Sequence, residues 1–449
     1  MGNQSKAFYF LLSILLAGIL TWLVREPSYT AAQTYVVFLL FLSVGLWLTE
    51  AVPPFSVGLL IIAYLTYTLR NAETGSPPDI SIYTNTFSSS VIWLMLGGFF
   101  LASAMTKTQL DASLIRIALK VSGTNPRRVL LATMLVTMTA SMLISNTATA
   151  AMVIAALTPV LTSLEKGSPT TKGLVLGIPI AATTGGMGTV IGSPPNAVAL
   201  AALTNAGNPI NFVHWMLFGL PVALALTLIA WKGLVLYFFK AAEPLPPSIA
   251  VQTVDPSQSA KRTIVIVVLL VTVLLWLTNP IHQLSAAAVA AIPLVSLPMS
   301  RVLTGGDIRA MGWDTLILVA GGLSLGLALQ QVGLLDLYAG KIQSLGVSRV
   351  ALLFILGYVT MIFSNVMSNT ATSTVLIPLG MAILPESKLE VAMIIGLSTS
   401  TALFLPVSTP PNAIAYSTGY VDQKDFRLGG MLVGLLGPLI IVLWVLAVG

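Results

Sequence analysis

The chain has 449 residues, 56% of them hydrophobic and 8% charged, with a mean hydropathy of +0.93. Soluble domains carry about 25% charged residues, so this composition excludes an ordinary soluble protein and leaves a polytopic membrane protein. The net charge is +6 and there is no cysteine, which excludes disulfides and thiolate metal sites; no nucleic-acid-binding motif accompanies the charge, so no nucleic-acid partner is expected.

Apolar runs long enough to cross a bilayer fall near 7–24, 34–50, 53–69, 91–106, 172–204, 212–239, 263–278, 284–300, 314–333, 389–419 and 429–448. That makes eleven expected spans. The first run lacks a small-residue cleavage site and reads as a retained span rather than a signal peptide. Trp22, Trp47, Trp93, Trp215, Trp313 and Trp444 lie near span ends, as interface anchors would.

Two further apolar segments, 126–164 and 348–385, are too long for one span each. The first carries "SNTATAAMVIAALTP" from Ser145 and the second carries "SNTATSTVLIPLGMA" from Ser368, 223 positions on. Arg127 and Arg128 precede the first segment, and Lys166 and Lys172 follow it. Basic residues at both ends put both ends on the cytoplasmic side, which either two spans or a re-entrant hairpin of two half-helices satisfies. Polar residues at the centre favour the hairpin, because open backbone at membrane depth is tolerated only where it lines protein or a water-filled cavity.

The repetition extends further. Gly97-Gly98 recurs as Gly321-Gly322, "GSPPNAVAL" around Pro194 recurs as "STPPNAIAY" around Pro410, and Ser141 and Ser364 each lie four residues before their pentads. Five spans separate equivalent points, and an odd number makes the two halves inverted repeats. The expected fold is therefore an all-α polytopic membrane protein of eleven transmembrane helices plus two re-entrant hairpins, in two inverted-topology repeats. With the N-terminus in the cytoplasm, sixteen Lys and Arg fall inside and five outside, which leaves the C-terminus outside. The Gly-Gly pairs read as close helix packing.

Ser145, Asn146 and Thr147, and Ser368, Asn369 and Thr370, are N-cap residue types followed by helix formers. Ser193 or Thr409 caps the next break, with Pro194 or Pro410 at the first helical position. Free first-turn N–H groups and the helix dipole make each such start an anion site. Unwound carbonyls with Ser, Thr and Asn oxygens also suit a hard cation such as Na+. No Lys, Arg, Asp, Glu or His lies within the pentads or the Pro-Pro breaks. A helix terminus contributes only about 0.3–2 kcal/mol toward an anion, so a dianion needs a mobile cation beside it. A proton-coupled carrier would show a membrane carboxylate or histidine instead. A serine or threonine nucleophile would need an adjacent base, and none is present, so an enzyme is not expected.

At these motifs the chain resembles the divalent anion:sodium symporter family, the INDY-like di- and tricarboxylate carriers, over nearly its whole length. The resemblance implies a homodimer in the lipid bilayer and an elevator mechanism. It divides the chain into a scaffold part (1–125, spans one to four), a transport part (126–239, the inward-opening hairpin with spans five and six), a linker (240–262), a second scaffold part (263–347) and a second transport part (348–449). Substrate carboxylates would meet Ser145, Asn146, Thr147, Ser193, Pro194, Ser368, Asn369, Thr370, Thr409 and Pro410. One sodium would use Ser141, Ser145, Asn146 and Gly192; its mate would use Ser364, Ser368, Asn369 and Ser408. Ser408 stands where the first break has Gly192, so the two sodium sites need not be equal. The implied function is Na+-coupled import of succinate, malate or fumarate, with Na+ as the coupling ion and no organic cofactor. The alternatives are a sodium-independent di- or tricarboxylate exchanger of the same fold, and a symporter of sulfate or another divalent inorganic anion.

Overall fold

The computed structural model describes residues 3–69, 80–110, 113, 117, 120–240, 245, 259–343 and 346–449. The linker expected over 240–262 lies largely outside them. The described residues are helical, with short turns and no strand. The helices of eight residues or more are α1 (Asn3–Val24), α2 (Ala31–Thr49), α3 (Pro54–Thr68), α4 (Ser90–Lys107), α5 (Pro126–Ser141), α6 (Asn146–Thr162), α7 (Pro169–Gly185), α8 (Pro194–Asn205), α9 (Phe212–Phe238), α10 (Ser259–Leu277), α11 (Ala286–Met299), α12 (Trp313–Gln331), α13 (Leu334–Gln343), α14 (Arg349–Ser364), α15 (Asn369–Ile383), α16 (Lys388–Ser398), α17 (Pro410–Ser417) and α18 (Leu436–Val448).

Their starts are written in the sequence. Thr30, Asn125, Ser145, Ser168, Asn211, Ser285, Ser348, Ser368 and Thr409 each turn a side-chain oxygen onto a first-turn N–H. Proline occupies the first turn after Asn125, Ser168 and Thr409, where its missing N–H removes no helical bond.

Seven of the described helices are long and apolar enough to cross a membrane. Hydropathy counted eleven because it measures apolar length rather than helix length. α3 and α11 are apolar but shorter than the seven. The runs 172–204 and 389–419 are broken helices: α7 passes through a 3-10 turn at Gly186–Gly188 before α8, and α16 through Thr399–Thr401 before α17. The two long apolar segments are helix pairs, α5 with α6 and α14 with α15, each split at its Ser-Asn-Thr pentad.

The chain forms two compact units. The first comprises 1–92, 197–209 and 312–399. In it α3 packs on α12, α1 on α2, and α15 against α12, α13 and α16. Its apolar core runs from Val36, Leu39, Leu46 and Ile61 to Leu325 and Leu329. The second comprises 93–196, 210–311 and 400–449. In it α7 packs on α5, α6 and α9, α10 on α11, and α17 on both α6 and α7.

The Gly-Gly pairs lie at close approaches. A Cβ at Gly97 would stand 2.6 Å from the Ala290 Cβ, and one at Gly321 would stand 2.6 Å from the Gly58 carbonyl oxygen. Two of the six end-of-span tryptophans are not interface anchors. Trp47 and Trp215 are buried, their indole N–H groups donating to Pro54 O (3.2 Å) and Met187 O (3.0 Å).

At the start of the short helix Gly305–Arg309, Asp307 accepts from Lys107 at 2.5 Å and from the Thr304 N–H and hydroxyl, each at 2.6 Å. The lysine bond, then the threonine hydroxyl, hold its carboxyl down at about 2. A depressed carboxyl stabilises the fold above its unfolded value of about 3.9, and that contribution is lost as pH falls through the folded value. Thermal midpoints of the wild type should therefore fall more steeply between about pH 4 and 2 than those of Asp307→Asn. Parallel curves for the two proteins would refute the assignment.

Candidate functional site: two broken helices and their hairpin tips

The first tip lies in the second unit. α5 ends at Ser141, residues 142–144 turn over, and Ser145 caps α6 with φ −58° and ψ 142°, accepting from the Ala148 N–H at 3.2 Å. Ser145 and Thr147 are exposed, whereas Ser141 is buried. The N–H groups of Asn146 and Thr147 lie in the first helical turn, where the helix itself supplies no acceptor.

Behind this tip, α7 unwinds. The Ser141 hydroxyl donates to Ala182 O at 2.6 Å. One head of the Asn146 carboxamide has Ser141 Oγ at 2.6 Å, Ala182 O at 3.1 Å and Gly192 O at 3.2 Å around it. An NH2 head facing two carbonyls and a hydroxyl satisfies all three, and the network assigns the nitrogen to that position. An oxygen head in the same place would make the group a ring of hard oxygens that only a cation holds together. A Cβ at Gly186 would meet the Asn146 carboxamide at 2.6 Å, and one at Gly192 would stand 2.6 Å from Gly186 O and 3.1 Å from Ser141 O. These two glycines let the unwound backbone approach the tip.

The break is fastened from below. Asn196, fully buried on the first turn of α8, donates from Nδ2 to Gly186 O and Thr189 O, each at 2.7 Å. Ser193 is buried beside Gly192, and Pro194 begins α8.

The second tip lies in the first unit and repeats the pattern. Ser368 caps α15 with φ −65° and ψ 147°, accepting from the Ala371 N–H at 3.2 Å. The buried Ser364 hydroxyl, with its single proton, lies 2.6 Å from Asn369 Oδ1 and 3.0 Å from Thr399 O. Thr370 is 8% exposed, against the open position of Thr147. The second break, in the second unit, has Thr409 capping α17 by accepting from the Asn412 N–H at 3.3 Å. Asn412 donates to Leu405 O at 2.9 Å and Leu403 O at 3.4 Å, as Asn196 does in the first break. α17 packs on α6 and α7, so the helix begun by Pro410 lies against the helix begun by Asn146.

Of the residues singled out from the sequence, Ser141, Asn146 and Gly192 converge on one ring, with Ser145 and Thr147 at the tip above it. Ser364 and Asn369 converge likewise, with Ser368 and Thr370 beside them. Ser408, Thr409 and Pro410 form their own turn. Sequence reasoning missed Ala182 and Thr399, whose carbonyls have no residue signature. It also left Asn196 and Asn412 without a role, although their recurrence in both Pro-Pro-Asn motifs was the available signal.

Residues 5–448 match the family described as sodium:sulfate symporter transmembrane region. The chain belongs to this family. The sodium:sulfate symporters are membrane transporters, and the chain is accordingly an integral membrane transporter rather than an enzyme. It is 27% identical over 463 residues to the sodium-dependent dicarboxylate transporter SdcS of Staphylococcus saprophyticus, covering 95% of this chain and 88% of the relative. It is 28% identical over 438 residues to SdcS of Staphylococcus aureus, covering 88% and 82%. The fold resembles those of the YdaH transporter of Alcanivorax borkumensis (TM-score 0.55, 15% identity, 88% of this chain and 98% of that one) and of MtrF of Neisseria gonorrhoeae (TM-score 0.57, 11% identity, 90% and 96%).

Proposed function

We propose that the chain is a secondary active transporter that imports four-carbon dicarboxylates such as succinate, malate or fumarate together with Na+, by elevator-type alternating access. The observation that carries this reading is the charge-free ring of Ser141 Oγ, Ala182 O and Gly192 O around the Asn146 carboxamide, beside an open helix N-terminus. Such a place favours a hard cation and an anion together, and neither alone is well compensated there. The first-turn N–H groups of α6 and α15, with Ser145, Asn146, Thr147, Ser368, Asn369 and Thr370, would take the carboxylates. Ser193, Pro194, Thr409 and Pro410 at the breaks would complete that site. Sodium would enter the ring of Ser141, Ser145, Asn146 and Gly192 as the Asn146 carboxamide presents oxygen, and a second ion would use Ser364, Ser368, Asn369 and Ser408. The printed name of the staphylococcal relatives, sodium-dependent dicarboxylate transporter, supports both the ion and the substrate class.

The same reading makes the chain a homodimer with a cytoplasmic N-terminus and an external C-terminus. Residues 1–125 and 263–347 form the scaffold, and 126–239 and 348–449 form the part that moves. The family description favours sulfate as the second substrate reading.

Labelled succinate uptake into proteoliposomes, with Na+ outside and K+ inside against a K+-only control, tests the proposal. Uptake that requires the inward Na+ gradient is expected, with sulfate as a weak competitor. Uptake without Na+, and only into vesicles preloaded with dicarboxylate, would instead make the chain an exchanger.

A further inference from the structure

The two breaks carry the same staple with its hydroxyl moved. In the first, the Thr189 hydroxyl accepts from the Gly192 N–H at 3.1 Å and donates to Met142 O in the turn of the hairpin tip. In the second, 216 positions on, Leu405 stands for Thr189 and Ser408 for Gly192. There the Ser408 hydroxyl accepts from the Leu405 N–H at 3.1 Å. The local turn is closed by a hydroxyl in both copies, and at the first break that hydroxyl also reaches the backbone of the hairpin tip.

Met142 directly follows Ser141, and Gly192 supplies one oxygen of the ring around Asn146. The Thr189 hydroxyl therefore joins the two strands of chain that carry ring oxygens. Its own carbonyl is held by Asn196 at 2.7 Å, and its side chain is buried. We infer that Thr189 is a positioning residue for cation binding at the first tip, fixing Gly192 O relative to Ser141 and Asn146. This rests on the sodium reading proposed above. Through Thr189 the first site is pre-assembled by a side-chain link between tip and break.

The test is a sodium titration of Thr189→Val, Thr189→Ser and the wild type, read as Na+-induced rise in thermal midpoint without dicarboxylate and as Na+ dependence of succinate uptake. Thr189→Val keeps the β-branched volume, removes the hydroxyl donor to Met142 O and leaves the Gly192 N–H with only its 3.3 Å bond to Thr189 O. Its half-saturating Na+ concentration is expected to rise roughly tenfold, with the succinate KM at saturating Na+ unchanged. Thr189→Ser should restore wild-type sodium dependence. Wild-type sodium affinity in Thr189→Val would overturn the inference, and so would equal losses in Thr189→Ser and Thr189→Val, which would assign the effect to the methyl group. If Thr189→Val does not accumulate in the membrane, Thr189→Cys, with a much weaker donor and acceptor, gives the same comparison. A wild type that shows no sodium effect in either assay overturns the sodium reading itself, and the inference with it.

Discussion

Asn146→Ala should abolish coupled uptake, lowering Na+-driven succinate accumulation by about a hundredfold or more. The carboxamide is the one group that faces Ser141 Oγ, Ala182 O and Gly192 O together. Removing it leaves Gly192 O and the Ser141 hydroxyl oxygen without the donor they share, while Ala182 O keeps the Ser141 hydroxyl. A buried polar group stripped of its partner costs about 1–3 kcal/mol, and each 1.4 kcal/mol is tenfold in an equilibrium constant. The same substitution opens space beside Gly186, whose absent Cβ is what lets the carboxamide sit there. The ring should then relax rather than close around an ion, so sodium affinity and anion affinity fall together. The check is the sodium-induced thermal shift alongside uptake. A mutant that keeps the wild-type shift but loses uptake would place Asn146 with the anion alone and leave the cation to other oxygens. Asn369→Ala should act in the same direction, because Ser364 Oγ lies between that carboxamide (2.6 Å) and Thr399 O (3.0 Å), as Ser141 Oγ lies between Asn146 and Ala182 O.

The helix starts were legible because capping is side-chain chemistry. Ser145 and Ser368 stand before helix formers inside apolar segments too long for one span, and both prove to be N-caps. The break after α7 falls at Gly185, Gly186 and Gly188, residue types that permit an unwound backbone. The break after α16, at Thr399–Thr401, has neither glycine nor proline to mark it. Hydropathy ran through both breaks unchanged, since an apolar run reads alike whether the helix continues or turns aside. The oxygens of Ala182 and Thr399 were the hardest to foresee. A carbonyl belongs to every residue, so its use as a ligand is decided by which neighbour folds it inward. For Ala182 and Thr399 those neighbours are Ser141 and Ser364, whose hydroxyls lie against the two carbonyls. The burial of Trp47 and Trp215 shows the converse limit. Position near a span end fixes the level of a tryptophan along the helix but not the direction it faces.

Gly321→Ala should be the most destabilising small substitution in the first unit, by at least about 3 kcal/mol. Overpacking usually costs about 1–3 kcal/mol when neighbouring side chains can shift. At Gly321 the obstacle is the backbone of Gly58, and the approach is mutual: a Cβ at Gly58 would stand 2.8 Å from Ile317 O. Neither neighbour has a rotamer to change, so α3 and α12 must separate along their contact. Gly18 is the matched control, because nothing lies within 4 Å of its added Cβ. Alanine there should stabilise α1 by up to about 1 kcal/mol, as it does in an unobstructed helix. Thermal midpoints in one detergent, taken at one scan rate, compare the two on equal terms. Gly321→Ala within a degree or two of the parent would mean that the helices are not in backbone contact. The consequence reaches the second tip. The adjacent Gly322 lies against the Thr374 side chain of α15, the helix that Ser368 caps. Pushing α12 away from α3 drives it toward α15, and α15 carries Asn369 and Thr370 on its first turn. Gly321→Ala protein that survives solubilisation should therefore bind dicarboxylate more weakly, although residue 321 is no part of the binding site.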